Sequence, residues 1–227
     1  MTTTAVGVLA SAPLPGRCKP GLLAAHSAEW VAGLHAAMLR DTLDGLQAID
    51  AAHYVVFVAD PGERADQALA LETLARHVPA PWELVLQEGA DRGARLERAF
   101  ESLFARGASY VLVAASDAPS APTEPLAAAL LDGTTRERIL VGPSDDGGHY
   151  VLGMPRVEPR LLHDMPWSTP ALMETTRLRC REQSLVLHEL PPWYDVDAPS
   201  DVMRLLDELR RHPERAPRSA QFLVTNA

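Results

Sequence analysis

Residues Tyr110–Pro119 read YVLVAASDAP. The run Tyr110–Ala115 is apolar throughout and reads as a strand buried on both faces, the pattern of parallel sheets. Asp117 stands where that run ends, followed at once by the turn Ala118-Pro119. In open α/β sheets the ligand lies outside the carboxyl ends of the strands, so this carboxylate stands where chemistry is expected. A carboxylate held there by a sharp turn suits Mg²⁺ or Mn²⁺, hard cations that take one or two carboxylates plus substrate phosphates. An equally ordinary use is to cap the turn that opens the next helix.

The same grammar repeats on both sides of this stretch. Upstream, Ala5–Ala10 (AVGVLA), Tyr54–Ala59 (YVVFVA) and Trp82–Gln87 (WELVLQ) read as further buried strands. Between them, helices are predicted over 26–49, with Trp30, Leu34, Met38 and Leu46 at helical spacing, and over 64–77. A third covers 92–106, with Leu96, Phe100, Leu103 and Phe104 turned inward. Downstream, Pro119, Pro122 and Pro125 mark a loop before a helix near 124–131. Strands at 139–142 and 149–154 then flank the polar turn Ser144–Gly148, and a helix (169–181), a strand (185–190) and a helix (200–211) follow. The alternation predicts an α/β fold, Rossmann-like, with a mostly parallel central sheet and helices on both faces. Residues 1–211 are expected to form one domain. Residues 212–227, proline-bearing and without a clear period, are expected to be a tail that wraps the surface or lacks regular structure.

Composition narrows the function. The 227 residues, 47% of them hydrophobic, can bury one substantial core. No apolar run approaches the roughly 20 residues of a membrane span. Met1–Ala10 carries no basic start and does not read as a signal peptide, so a cytoplasmic protein is expected. The only cysteines, Cys18 and Cys180, are too few for a disulfide framework and read as free thiols; Cys18 lies in a candidate active loop. A net charge of -9 argues against binding a nucleic-acid polymer. Phosphates on a small molecule remain accessible if a metal ion and a few local cations offset the repulsion. Lysine occurs once, at Lys19, among many arginines. A coding bias toward arginine explains the rarity, and the survivor then marks a place where a compact ammonium is needed rather than a planar guanidinium.

Four segments collect at the expected carboxyl edge. The loop Ser11–Lys19, with Pro13, Gly16 and Arg17, offers backbone N–H groups and one ammonium to phosphate oxygens, although it lacks a Walker A pattern and also reads as a plain Pro/Gly connector. Ser116 and Asp117 form the second. In the third, Asp195-Val196-Asp197, the two acids point to one side of an extended segment and repel unless a cation bridges them. Asp197 or Ser200 equally reads as the cap of the last helix, with Asp201 in its first turn. The fourth, Asp145–Tyr150, contains Asp146, the paired glycines Gly147 and Gly148, and His149, and reads either as a ligand loop or as a hairpin turn.

Taken in order, these pieces resemble a family. Pro13–Lys19, Gln87-Glu88-Gly89 with Asp91–Leu96, Ser116–Pro119, Gly142-Pro143, Asp145–Gly153, Pro166–Thr169 and Asp195–Asp197 with Asp201 follow the motifs of the bacterial GT-A-like family of arsenosugar-biosynthesis-type glycosyltransferases. More distantly they are similar to nucleotidyltransferases such as 2-phospho-L-lactate guanylyltransferase and the molybdenum-cofactor guanylyltransferases. The resemblance covers about residues 5–205. It implies a nucleotide-diphospho-sugar transferase fold that binds a nucleotide or nucleotide-sugar donor and a small-molecule acceptor, with Mg²⁺ or Mn²⁺ on Asp117 and Asp197. It also implies that Gln87, Gly89, Arg92 and Arg95 lie near the base or ribose, and Gly147, Gly148 and Trp167 near the acceptor. Asp146 or His149 is then the candidate acceptor-side base, with Lys19 assisting the leaving phosphates. A homodimer is compatible with this reading. The chain departs from the family in its first loop: Ser11 replaces a lysine, and Pro20-Gly21 replaces a threonine and an arginine. Each lost charge-assisted contact is worth about 1.5–3 kcal/mol. Three functions stay open: glycosyl transfer, nucleotidyl transfer to a phosphorylated small molecule, and a non-catalytic member that keeps the fold.

Overall fold

A computed structural model describes residues 3–132 and 137–226; residues 1–2, 133–136 and 227, which belong to the expected domain and tail, lie outside the described residues. Its strands are β1 (Thr4–Ala10), β2 (His53–Val58), β3 (Glu83–Leu86), β4 (Tyr110–Ala115), β5 (Arg138–Pro143), β6 (His149–Met154) and β7 (Val186–Glu189). Its helices are α1 (Ala28–Leu46), α2 (Arg64–Ala75), α3 (Arg92–Ala105), α4 (Glu124–Leu131), α5 (Leu172–Glu182), α6 (Pro199–Leu209) and α7 (Pro217–Thr225). The predicted strands and helices through α6 all form, with ends shifted by a few residues.

One sheet carries the order β3-β2-β1-β4-β6-β5-β7. β6 runs antiparallel to both of its neighbours, and every other pairing is parallel. The chain builds outward from β1 to β3, then returns across β1 to place β4. The strand order therefore reverses between β1 and β4, and a crevice opens at their carboxyl ends.

Alternating side chains explain the two helical layers. Val6, Val8 and Ala10 of β1 join Leu39 and Leu43 of α1, Leu74 of α2 and Leu126 of α4. Ala5 of β1, with Val111 and Val113 of β4, packs instead on Leu96, Phe100 and Leu103 of α3 and Met173 and Cys180 of α5. Local caps set two helix starts: the Ser27 hydroxyl accepts from Trp30 N at 3.2 Å, and the Asp91 carboxylate accepts from Ala94 N at 2.8 Å.

The C-terminal segment differs from expectation. Pro217–Thr225 is a helix, and Leu223 joins Leu34 and Met38 of α1 and Val202, Leu205 and Leu209 of α6 in a third apolar cluster. Nine residues are too few for a stable isolated helix. Its cap comes from α1: the buried Asp41 carboxylate accepts the first-turn amides of Arg218 at 3.1 Å and Ser219 at 2.8 Å. That acceptor lies 177 and 178 positions away in sequence, so no local signal marks the helix. Asp41→Ala, which leaves both amides without their acceptor, should lower stability by about 1–3 kcal/mol in urea unfolding. Hydrogen exchange should show residues 217–225 losing protection before the sheet does; unchanged protection there would count against this docking.

Candidate functional site

A cleft of about 300 Å³ opens at the carboxyl ends of β1 and β4. Its polar wall includes Ser11, Lys19, Gln87, Arg92, Arg95, Ser116, Asp117, His149 and Asp197, which were expected at the site, Tyr150 from the expected Asp145–Tyr150 segment, and His35, which was not expected. A larger cavity of about 440 Å³ lies on the α1/α4 side of the sheet and contains none of the expected ligands.

At the centre, the Lys19 ammonium donates to Asp117 Oδ2 at 2.8 Å and to Asp197 Oδ1 at 2.6 Å. Each partner is delivered by backbone geometry. Asp117 follows β4 directly. The segment before α6 then runs alongside the chain after β5: Trp193 N donates to Pro143 O at 3.0 Å, Asp145 N to Trp193 O at 2.9 Å, and Val196 N to Asp117 O at 2.9 Å. The last of these bonds seats Asp197 next to Asp117. Asp201, not Asp197, serves the start of α6; its carboxylate accepts from Ala198 N at 2.7 Å and Asp197 N at 3.1 Å. Asp197 is thereby left free to meet a cation. Lys19 adopts a left-handed backbone, φ 44°, at the start of a short 3-10 turn over Pro20–Leu22. Gly21 of that turn packs on the carbonyl of Asp197 so closely that a Cβ would collide with it. The glycine at this position is therefore what lets this turn sit on the Asp197 segment.

The charges are strongly coupled. Burial works against the Lys19 ammonium, but Asp117 and Asp197 outweigh it and hold its pKa above that of an ordinary lysine. Burial likewise opposes the Asp117 carboxylate, yet Lys19, then His35 and Arg92, keep it below the usual range. Among the described residues Asp195 makes no such ion pair. Burial, then Asp117, Asp146 and Asp197, push it up to about 6.

His35 is the residue that sequence reading missed. It is buried on α1, and its Nε2 lies 3.0 Å from Ser11 O and 3.3 Å from Ser11 Oγ, so it pins the chain where it leaves β1. A polar residue within the buried stripe of Val31, Leu34, Met38 and Leu39 was the available signal. At the opposite rim, the Arg92 guanidinium lies 5.7 Å from the Trp167 ring centre, and His149 meets that ring edge-on at 5.8 Å.

Other expected residues fall outside the cleft wall. Arg17 turns away to pair with Asp66 at 2.8 Å on the surface. Pro13 and Gly16 belong to a self-contained turn, in which Leu14 N donates to Ala12 O and Arg17 N to Leu14 O, so those amides are already used. Gly89, at φ 134°, lets the chain pass the first turn of α3, where a Cβ would sit 2.6 Å from Arg95 N. Asp146 is a turn fastener: its Oδ1 accepts from the Ser144 hydroxyl and from Gly148 N. Gly147 accepts from Met173 N, tying the turn to α5. Cys18 is buried, donates to Leu14 O, and has its thiol pKa raised by burial, so it is no reactive thiolate.

Burial, and then the Arg92 charge, push His149 down from 6.5 to about 4. It is therefore a neutral imidazole near pH 7. In the window between those values the unfolded chain takes up a proton that the folded chain refuses, so stability falls as the pH drops through it. Urea midpoints measured across that range should decline less steeply in His149→Gln than in the parent. Parallel curves would refute the assignment.

The chain is similar to several solved structures. A Desulfovibrio desulfuricans protein that carries nucleotide-diphospho-sugar transferase as a provisional name matches at 24% identity and a TM-score of 0.88, over 100% of this chain and 96% of its own. A Mycobacterium tuberculosis protein crystallised with manganese matches at 18% and 0.54, over 91% and 98%. A cytidylyltransferase from Leptospira borgpetersenii matches at 12% and 0.54, over 95% and 97%. The fold is thus that of the nucleotide-diphospho-sugar transferases. No curated protein matches the sequence. Residues 39–169, over half of the chain, match the family described as "Uncharacterized protein conserved in bacteria (DUF2064)", and the chain belongs to that family.

Proposed function

We propose that this protein is a divalent-metal-assisted glycosyltransferase that takes a sugar from a nucleotide-activated donor and passes it to a small-molecule acceptor. The observation that carries the reading is the meeting of Asp117, Asp197 and the single lysine at the strand-order reversal, where open α/β sheets bind phosphates. The sequence resemblance to arsenosugar-biosynthesis-type glycosyltransferases supports sugar transfer as the chemistry. Manganese in the Mycobacterium tuberculosis relative supports the metal.

The donor set suits such an ion. Two carboxylates from separate segments reach one cation at 2.6 and 2.8 Å, and both supply hard oxygen ligands. Among the described residues no group of three or more His, Cys, Asp or Glu side chains forms a complete cage. The remaining positions would fall to water and phosphate oxygens, the usual arrangement for Mg²⁺. Asp117 and Asp197 would hold the ion, which supplies Lewis-acid stabilisation of charge on the leaving phosphate. Lys19 supplies an ammonium to the phosphate oxygens, and Arg92 and Arg95 in the cleft wall supply cations that the altered first loop no longer provides. His149 and Trp167 shape the acceptor side. With a pKa of about 4, His149 orients an acceptor hydroxyl better than it deprotonates one.

Nucleotidyl transfer is the second reading. It is favoured by the two arginines in the cleft, which suit a more highly charged triphosphate, and by the cytidylyltransferase among the similar structures. Pyrophosphate release from a nucleoside triphosphate distinguishes it. Calorimetry with Mn²⁺ and a panel of nucleoside diphosphates and nucleotide sugars should show binding in the parent. Asp117→Ala and Asp197→Ala should weaken it at least about 10-fold while the fold survives, since each removes a charged contact. Failure of every nucleotide to bind would overturn the enzymatic reading. Undiminished biological activity in both variants would favour a non-catalytic role.

A further inference from the structure

The carboxylate pair already contains a cation. Lys19 Nζ bridges Asp117 and Asp197 within hydrogen-bond distance of both, and its side chain is only 7% exposed. The two acids differ in access: Asp117 is 24% exposed and Asp197 61%. The ammonium therefore closes the inner end of the pair and leaves an approach from the Asp197 side. The lysine is not there by flexible chance. Its left-handed backbone is followed by Pro20, whose ring fixes the chain, and by Gly21, which packs on the Asp197 carbonyl. One ammonium and one divalent ion cannot share these oxygens at these distances without strong like-charge repulsion.

We infer that Lys19 is a built-in cation that competes with divalent metal ions for Asp117 and Asp197, so that the free protein takes up such ions weakly and a phosphate-bearing ligand promotes metal uptake by drawing the ammonium away. This deepens the proposed reading of the cleft and rests on it only in treating the carboxylate pair as a cation site. The ammonium closes the pair for most of the time, and the apparent metal affinity falls by the fraction of molecules in which it is open. Electrostatics also orders the events: phosphate oxygens give the ammonium an alternative partner and at the same time supply ligands that the two-carboxylate set lacks.

The test uses Mn²⁺ alone, titrated into the full chain by calorimetry and by electron paramagnetic resonance of free Mn²⁺. Lys19→Met should bind the ion at least about 10-fold more tightly than the parent. Lys19→Arg should stay weak, because it keeps a cation at the pair, and Lys19→Met combined with Asp117→Asn should lose the gain. Equal Mn²⁺ affinity in the parent and Lys19→Met would overturn the inference, as would a gain that survives the loss of Asp117. If Lys19→Met requires a cation to fold, refolding with Mn²⁺ but not with EDTA supports competition, and failure in both conditions opposes it. Because no nucleotide is present, these outcomes are separate from donor binding. A chain that binds no nucleotide can still show the gain, and one that binds nucleotide can lack it.

Discussion

Two carboxylates brought together from distant parts of the chain need a positive charge between them. Asp117 and Asp197 meet across one ammonium, and three segments are organised around that contact. The turn after β1 places Lys19, the end of β4 places Asp117, and the strand-like run into α6 places Asp197. Without the cation, neighbouring acids in a partly buried cleft would repel each other, and the backbone bond from Val196 to Asp117 would hold them in that unfavourable position. Beside them Asp195 is raised to about 6, first by burial and then by Asp117, Asp146 and Asp197.

The sheet makes this meeting available. Strand order reverses at β1 and β4, so the loops after both strands face the same crevice. β6 is the exception in direction, and its reversal brings the Ser144–Gly148 turn to the same edge. Asp146 fastens that turn internally, and Arg204 of α6 fastens it externally through Asp145 at 2.7 Å while lying 3.9 Å from the Tyr194 ring centre.

Behind the cleft, a buried polar network joins the C-terminal part of the chain to β4. Glu208 of α6 accepts from Ser120 Oγ at 2.9 Å, from the Tyr194 hydroxyl, and from Arg215 Nη1 at 2.9 Å. Trp193 Nε1 donates to the same Ser120 hydroxyl at 3.2 Å. Every member except Arg215 is at least partly buried, and a buried carboxylate with several donors is stable only while all of them stay in place. This network supports the loop that presents Asp117 and the segment that presents Asp197, and α7 closes over the same side through Asp41.

The sequence by itself determined what depends on short-range pattern. Apolar runs such as YVLVAA at 110–115, helical spacing such as Trp30, Leu34 and Met38, and the turn after Asp117 were sufficient to place the strands, α1–α6 and the sheet class, because each is specified by residues within one element. The meeting of Asp117 and Asp197 was expected from the resemblance to known motifs, and the rarity of lysine singled out Lys19. Tertiary structure alone decided what depends on partners far apart in sequence. The helix at 217–225 exists because Asp41 caps it from α1. Arg17 leaves the cleft because Asp66 offers a surface partner, and His35 enters it because α1 lies against the end of β1. Whether a glycine touches ligand or merely lets two backbones pass, as Gly89 does beside α3, is likewise a matter of what lies opposite. Local propensity acts over a few residues, whereas capping, burial and charge pairing act across space.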